Sequence, residues 1–155
     1  MKIIITGGPC TGKTSLIEAL SFKDYTVHPE FARVVIAEQL ALKTDLVPWL
    51  NNVGFSSLVL EKMLALNASI TDHKLHFLDR GIPDLAAYLH VTDNSLPDGF
   101  TAALTQANYH STVFLLPPWE EIYANDNERK ESFDKALEIY HALKSTYKDL
   151  GFDVV

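Results

Sequence analysis

Residues Gly7 to Thr14 read G-G-P-C-T-G-K-T directly behind the apolar run Ile3-Ile4-Ile5, satisfying the pattern G-x-x-x-x-G-K-S/T. Gly7 and Gly12 let the backbone wrap close to an anion, while Gly8, Pro9, Cys10 and Thr11 complete the loop. Amides from the loop through Ser15, in the first turn of the helix that follows, are expected to point at phosphate oxygens. Lys13 is placed to reach the β- and γ-phosphates of a nucleotide, and the Thr14 hydroxyl to ligate a magnesium ion bridging them. Cys10 has no acidifying neighbour beyond the helix start and reads as a loop residue.

Two further groups of residues could share this chemistry. The run Leu75-His76-Phe77-Leu78-Asp79 is an apolar strand ending in a carboxylate, the form of a Walker B element that holds magnesium. Its alternative is an aspartate capping the next helix, and the phosphate loop tips the balance toward the metal role. The residue after Asp79 is Arg80, where motor ATPases carry a water-activating glutamate. Neither an N-K-x-D guanine-reading motif nor an L-S-G-G-Q transporter signature is present. A motor, a GTPase switch and a transporter are thereby disfavoured, and Arg80 is expected to contact a phosphate or the bound acceptor.

Glu30-Phe31-Ala32-Arg33 follows the second strand, with an acid and an arginine one helical turn apart. Glu30 is a candidate base for an acceptor hydroxyl. A surface ion pair with Arg33 at a helix start, or a metal contact, is an equal reading of the same spacing. Asn125 to Lys130 form a polar run that is either a solvated loop capping the last helix or a lid carrying Arg129 over the nucleotide. The chain's three arginines, Arg33, Arg80 and Arg129, all fall within these groups. A planar guanidinium suits bidentate phosphate recognition.

The elements that must position these groups alternate between short apolar strands and amphipathic helices, predicting a parallel α/β domain over residues 1–155. Strands are expected at Ile3–Ile5, Tyr25–His28, Leu75–Leu78, Thr112–Leu116 and from Phe152. Helices are expected from Lys13 to Leu20 and Phe31 to Leu40, and a longer one opened by Pro48. Further helices run from Pro83 to His90, from Thr101 to Asn108, and from Glu128 to a stop at Gly151. Ligands of such a sheet bind beyond the C-terminal ends of the strands, which puts the phosphate loop, Glu30 and Asp79 on one rim. Trp49 and Phe55 read first as core and second as stacking surfaces for an acceptor. His73 and His76 are three apart, but a turn-to-strand transition between them argues against a zinc site.

Composition supplies exclusions. A net charge of −7 argues against a nucleic-acid surface or an anionic membrane. No run approaches the ~18 apolar residues of a membrane span. One cysteine cannot form an intramolecular disulfide and fits a reducing, cytoplasmic compartment. The length leaves no room for the separate helical lid domain of extended AAA motors, and a homodimer is compatible with everything above.

Taken together, G-G-P-C-T-G-K-T, P-E-F-A-R (Pro29 to Arg33), F-L-D-R-G (Phe77 to Gly81), F-L-L-P-P-W (Phe114 to Trp119) and Y-A-N-D-N-E-R-K (Tyr123 to Lys130) resemble the NadR-like AAA domain family. These are small P-loop proteins similar to ribosylnicotinamide and nucleoside kinases. The resemblance implies a three-layer α/β/α P-loop NTPase sandwich with a five-stranded, mainly parallel sheet. It implies ATP and Mg2+ binding through Lys13 and Thr14, Asp79 at the Walker B position, and Arg129 in the lid. Members of this type commonly continue past the last strand into a further loop and helix, whereas this sequence stops at Val155. Phosphoryl transfer to a hydroxyl of a small nucleoside-like acceptor is the leading expectation, with Lys13, Glu30, Asp79, Arg80 and Arg129 catalytic and Glu30, Arg33 and Arg80 at the acceptor. A nucleotide-dependent regulatory module with slow ATPase activity and no small-molecule acceptor is the alternative.

Overall fold

A computed structural model of the chain describes residues 1–120 and 133–155. Arg129 and the expected lid therefore lie outside the described residues, as does the expected start of the last helix at Glu128. The elements run β1 (Lys2–Gly7), α1 (Lys13–Phe22), β2 (Thr26–His28), α2 (Phe31–Leu42), α3 (Asn52–Ser69) and β3 (His76–Asp79). Then follow α4 (Ile82–Val91), α5 (Phe100–Ala107), β4 (Thr112–Leu116), α6 (Phe133–Asp149) and β5 (Asp153–Val154).

The five strands form one sheet in the order β2-β3-β1-β4-β5, with every pairing parallel. Right-handed crossovers then assign the layers. The β1-to-β2 connection through α1 runs toward one edge, and all later connections run back toward the other. Hence α1 covers one face and the remaining helices cover the opposite one, a three-layer α/β/α sandwich. The packing agrees with this assignment: Ile4, Leu78, Val113 and Leu115 point to one face and cluster with Ala87 of α4 and with Ile139, Leu143 and Tyr147 of α6. A second cluster gathers Val35 of α2, Phe55, Val59 and Met63 of α3, Ile82 and Leu85 of α4, and Phe100 and Ala103 of α5. It lies beside the chemical rim, so α2, α3 and α4 are fixed relative to one another by apolar burial.

Register brings the candidate residues level. Ile5 pairs with Asp79, His28 with Leu78 and Gly7 with Leu116, so Gly7 at the end of β1 and Glu30 and Arg80 just past β2 and β3 emerge along one edge. One expected boundary moves. Pro48 does not open α3: Leu50 N and Asn51 N both bond to Val47 O in an isolated turn, and the helix starts at Asn52 behind Asn51, whose Oδ1 accepts from Gly54 N at 2.9 Å. An asparagine cap satisfies orphan amides that a proline leaves open, which is why the start shifts. The last helix ends as expected, with Gly151 N bonded to Lys148 O and Phe152 N to Tyr147 O. Among the described residues no helix is long and apolar enough to cross a membrane.

Candidate active site

The phosphate loop leaves β1 at Gly7, where a Cβ would stand 2.8 Å from Thr11 Oγ1 and 2.9 Å from Leu116 O, so no larger residue fits. Gly12 turns the chain into α1 at φ +78°, a left-handed conformation that costs glycine little. Thr11 Oγ1 closes the loop by donating to Gly8 O at 3.2 Å. A cavity of about 340 Å³ results, lined by residues 8–15 together with Arg33, Arg80 and Tyr88. All residues expected at the nucleotide from Gly8 to Ser15 line it, and Gly7 stands behind it at the strand end.

Lys13 is buried, with its Nζ 2.9 Å from Asp79 Oδ1 and 3.8 Å from Glu30 Oε2. The Asp79 contact is an ion pair without hydrogen-bond geometry. Its Oδ1 is a buried oxygen with no hydrogen bond among the described residues. Lys13 compensates that oxygen's charge here, and once Lys13 turns to phosphate the Asp79 carboxylate, with the Thr14 hydroxyl on the cavity wall, would offer the hard oxygen donors that magnesium prefers. The residues present fit the metal.

Glu30 is the N-cap of α2 but makes no side-chain cap bond. It is 15% exposed and turned into the site: Arg80 Nε donates to its Oε1 at 2.8 Å, and Arg33 Nε lies 3.3 Å from its Oε2. Burial raises the cost of its charge, but Arg80, Lys13 and Arg33 outweigh that and hold the carboxyl below its ordinary value. The ion pair with Arg33 does form, yet Arg33 is 70% exposed, so the pair bridges the surface to the interior.

Arg80 sits at φ +73°, an unusual conformation for a non-glycine residue, pinned by its N–H to Ile5 O at 2.9 Å. Besides Glu30, its Nη1 donates to Asp84 Oδ1 at 3.2 Å, and the guanidinium stands 5.2 Å from the Tyr88 ring centroid. Burial opposes its charge, but Tyr88, Glu30 and Asp84 together keep its pKa well above the ordinary range.

Asp84 was not singled out from the sequence, and it is the most completely bonded side chain of the site. It is 2% exposed and accepts from Thr6 Oγ1 and Arg80 on Oδ1, and from Tyr147 OH and Gly81 N on Oδ2. Burial, reinforced by the Asp84 charge, pushes the Tyr147 phenol well above its usual pKa and keeps it a neutral donor. The local signal was an acid in the first turn of a helix after Gly81-Ile82-Pro83.

A second cavity, about 430 Å³, adjoins the first and shares Arg80 and Tyr88 with it. Glu30, Arg80 and Asp84 form its charged end. Ile36 of α2, Phe55, Val59 and Met63 of α3, and Leu85 of α4 supply apolar wall. Ala32, Pro48, Trp49, Asn52, Ser56 and Thr92 complete the lining. Phe55 is core and cavity wall at once, as the first reading had it. Trp49 is not core: at 62% exposed it stands at the cavity's edge, because the turn before α3 carries it outward. His76 pairs with His28 and Asp72 rather than His73, and no group of metal-ligating side chains gathers among the described residues.

Residues 2–155 match the model of the family described as AAA domain. No curated protein matches the chain. Among solved structures, NadR in complex with NR is similar at a TM-score of 0.68 and 18% identity, the match covering 99% of this chain and 42% of that one. The deoxyadenosine kinase of M. mycoides, with dCMP and dCDP bound, gives 0.65 at 15% identity, covering 100% of this chain and 90% of the other. Shikimate kinase from Aquifex aeolicus gives 0.53 at 14%, covering 99% and 84%. The chain thus spans less than half of the NadR chain, and at these identities the likeness establishes the P-loop kinase fold.

Proposed function

The chain belongs to that AAA domain family, and from this premise we propose that it is an ATP-dependent kinase transferring the γ-phosphoryl to a hydroxyl of a small nucleoside-like acceptor. One observation carries the reading: the phosphate-loop cavity opens beside a second, largely apolar cavity with Glu30 and Arg80 at the junction. A module that only holds or slowly hydrolyses ATP has no use for the second cavity. Proteins of similar fold bind NR or deoxynucleotides, ligands of suitable size and shape.

In this reading the loop amides and Lys13 bind the β- and γ-phosphates, and Thr14 and Asp79 hold magnesium. When bound, the metal neutralises charge building on the phosphoryl oxygens. Lys13 exchanges its carboxylate partners for phosphate oxygens without leaving the rim. Glu30 accepts a hydrogen bond from the acceptor hydroxyl and aims its oxygen at the phosphorus. A carboxylate held at low pKa is a weak base, but the loose transition state of phosphoryl transfer asks for orientation more than early proton removal. Arg80 stays fixed by Asp84 and Glu30 at the junction, and Arg33, exposed and lining the phosphate-loop cavity, reaches the phosphates by giving up its contact with Glu30. Arg129 belongs to the expected lid.

The test is ATP turnover measured with and without a panel of ribo- and deoxyribonucleosides, with products resolved by chromatography. A phosphorylated acceptor and turnover that rises with its concentration support the reading. Turnover indifferent to every acceptor would leave the nucleotide-dependent regulatory module.

A further inference from the structure

Ser56 stands out within the acceptor cavity. It is 3% exposed, flanked along α3 by Phe55, Val59 and Met63, and lines the cavity, yet its hydroxyl makes no hydrogen bond among the described residues. A buried serine or threonine on a helix ordinarily turns back to a carbonyl one turn earlier. Three less buried hydroxyls on the helices do so: Ser57 Oγ donates to Val53 O at 3.0 Å, Ser69 Oγ to Leu66 O at 2.8 Å and Thr105 Oγ1 to Thr101 O at 3.0 Å. Ser56 does not. Its Oγ is not one of the sealed orphan atoms of the described interior, Asn67 Oδ1 and Asp79 Oδ1, so it opens on the cavity, where a ligand can supply the partner.

Asn52 is one turn before Ser56 on the same helix and lines the same cavity. The orientation of its amide follows from its neighbour. Thr92 Oγ1 has a single proton, which goes to Tyr88 O at 3.0 Å or Leu89 O at 3.2 Å, so toward Asn52 it can only accept. Asn52 therefore presents Nδ2 to Thr92 at 2.9 Å, and its Oδ1 is left as an acceptor. Two hydrogen-bonding oxygens, Asn52 Oδ1 and Ser56 Oγ, thus stand a helical turn apart in a cavity whose other α3 contributions are apolar.

We infer that Asn52 and Ser56 determine specificity by reading an N–H-bearing edge of the acceptor's ring, an amino or carboxamide substituent, while the acceptor's hydroxyl faces Glu30. The inference rests on the proposed kinase reading and adds to it the chemical class of the acceptor. The ring lies between the apolar residues of α2, α3 and α4, and its substituent donates to Asn52 Oδ1 and Ser56 Oγ. A ring bearing only acceptors on that edge meets Asn52 Oδ1 oxygen to oxygen and is rejected. Sites built to bond a substrate N–H or O–H discriminate strongly against analogues that lack it, because their own polar groups are then left unpaired.

The experiment compares affinities by calorimetry, with a non-hydrolysable ATP analogue present, for matched pairs: adenosine against purine riboside, cytidine against its des-amino analogue, and nicotinamide riboside against pyridine riboside. Wild type is expected to favour the amino- or carboxamide-bearing member of at least one pair by about tenfold or more. In Ser56→Ala and in Asn52→Ala most of that preference should vanish, while the unsubstituted ring binds within about twofold of wild type. A preference unchanged in both variants, or none in wild type, overturns the inference and leaves the kinase reading standing. Failure of every nucleoside to bind wild type overturns both.

Discussion

Arg80 Nε donates to Glu30 Oε1 at 2.8 Å across a sequence separation of 50 residues, joining the ends of β2 and β3 beside the phosphate loop. Three cations surround this carboxylate; Lys13 is buried and Arg80 largely so. The arrangement keeps Glu30 ionised at neutral pH, which suits the orienting role proposed for it.

Acid stability should carry its signature. Burial alone would raise the Glu30 pKa, but Arg80, Lys13 and Arg33 bring it below the ordinary 4.5. A carboxyl depressed in the folded state stabilises the fold fully above its unfolded value and loses that contribution as pH falls through the folded one. Thermal melts of wild type should therefore drop more steeply below pH 4.5 than those of Glu30→Gln. Parallel curves for the two proteins would show that the cations do not favour the ionised form.

Asp84 should matter to stability more than any surface acid. Its four donors come from β1, the β3–α4 turn, Arg80 and α6. Asp84→Ala leaves the Arg80 guanidinium and the Tyr147 phenol partly unpaired in the interior, and about 3–5 kcal/mol of unfolding free energy should be lost. Tyr147→Phe removes one donor and should cost about 1–2 kcal/mol. Urea titrations measure both. A loss below about 1 kcal/mol for Asp84→Ala would mean the network is not maintained in solution.

Ser56→Ala should go the other way. It removes a hydroxyl that opens on the cavity and makes no hydrogen bond among the described residues, and it gains about 0.5 kcal/mol of helix propensity. Without ligand, the variant should melt at the same temperature as wild type or higher. A clear fall in melting temperature would show that the hydroxyl has a structural partner.

The phosphate loop, the strand-end Asp79 and the α/β alternation were legible because each is local: a motif, a run or a period confined to a few neighbouring residues. Glu30 and Arg80 were legible as chemistry but not as partners, since only the β2–β3 register brings them level. Asp84 showed just a helix-start acid, for its decisive donors Thr6 and Tyr147 lie 78 and 63 residues away. Ser56 falls in a helix read for its apolar face, where one small hydroxyl leaves the period intact. The late start of α3 was missed because a proline signal outweighed the asparagine that does the capping.

The most direct measurement is acceptor phosphorylation and ATP affinity determined side by side on Glu30→Gln. Loss of the orienting carboxylate should lower phosphoryl transfer by about 10²-fold or more, with the ATP dissociation constant within about threefold of wild type. A variant that phosphorylates its acceptor at the wild-type rate would contradict the account, because it would remove Glu30 from the reaction the two adjoining cavities are proposed to perform.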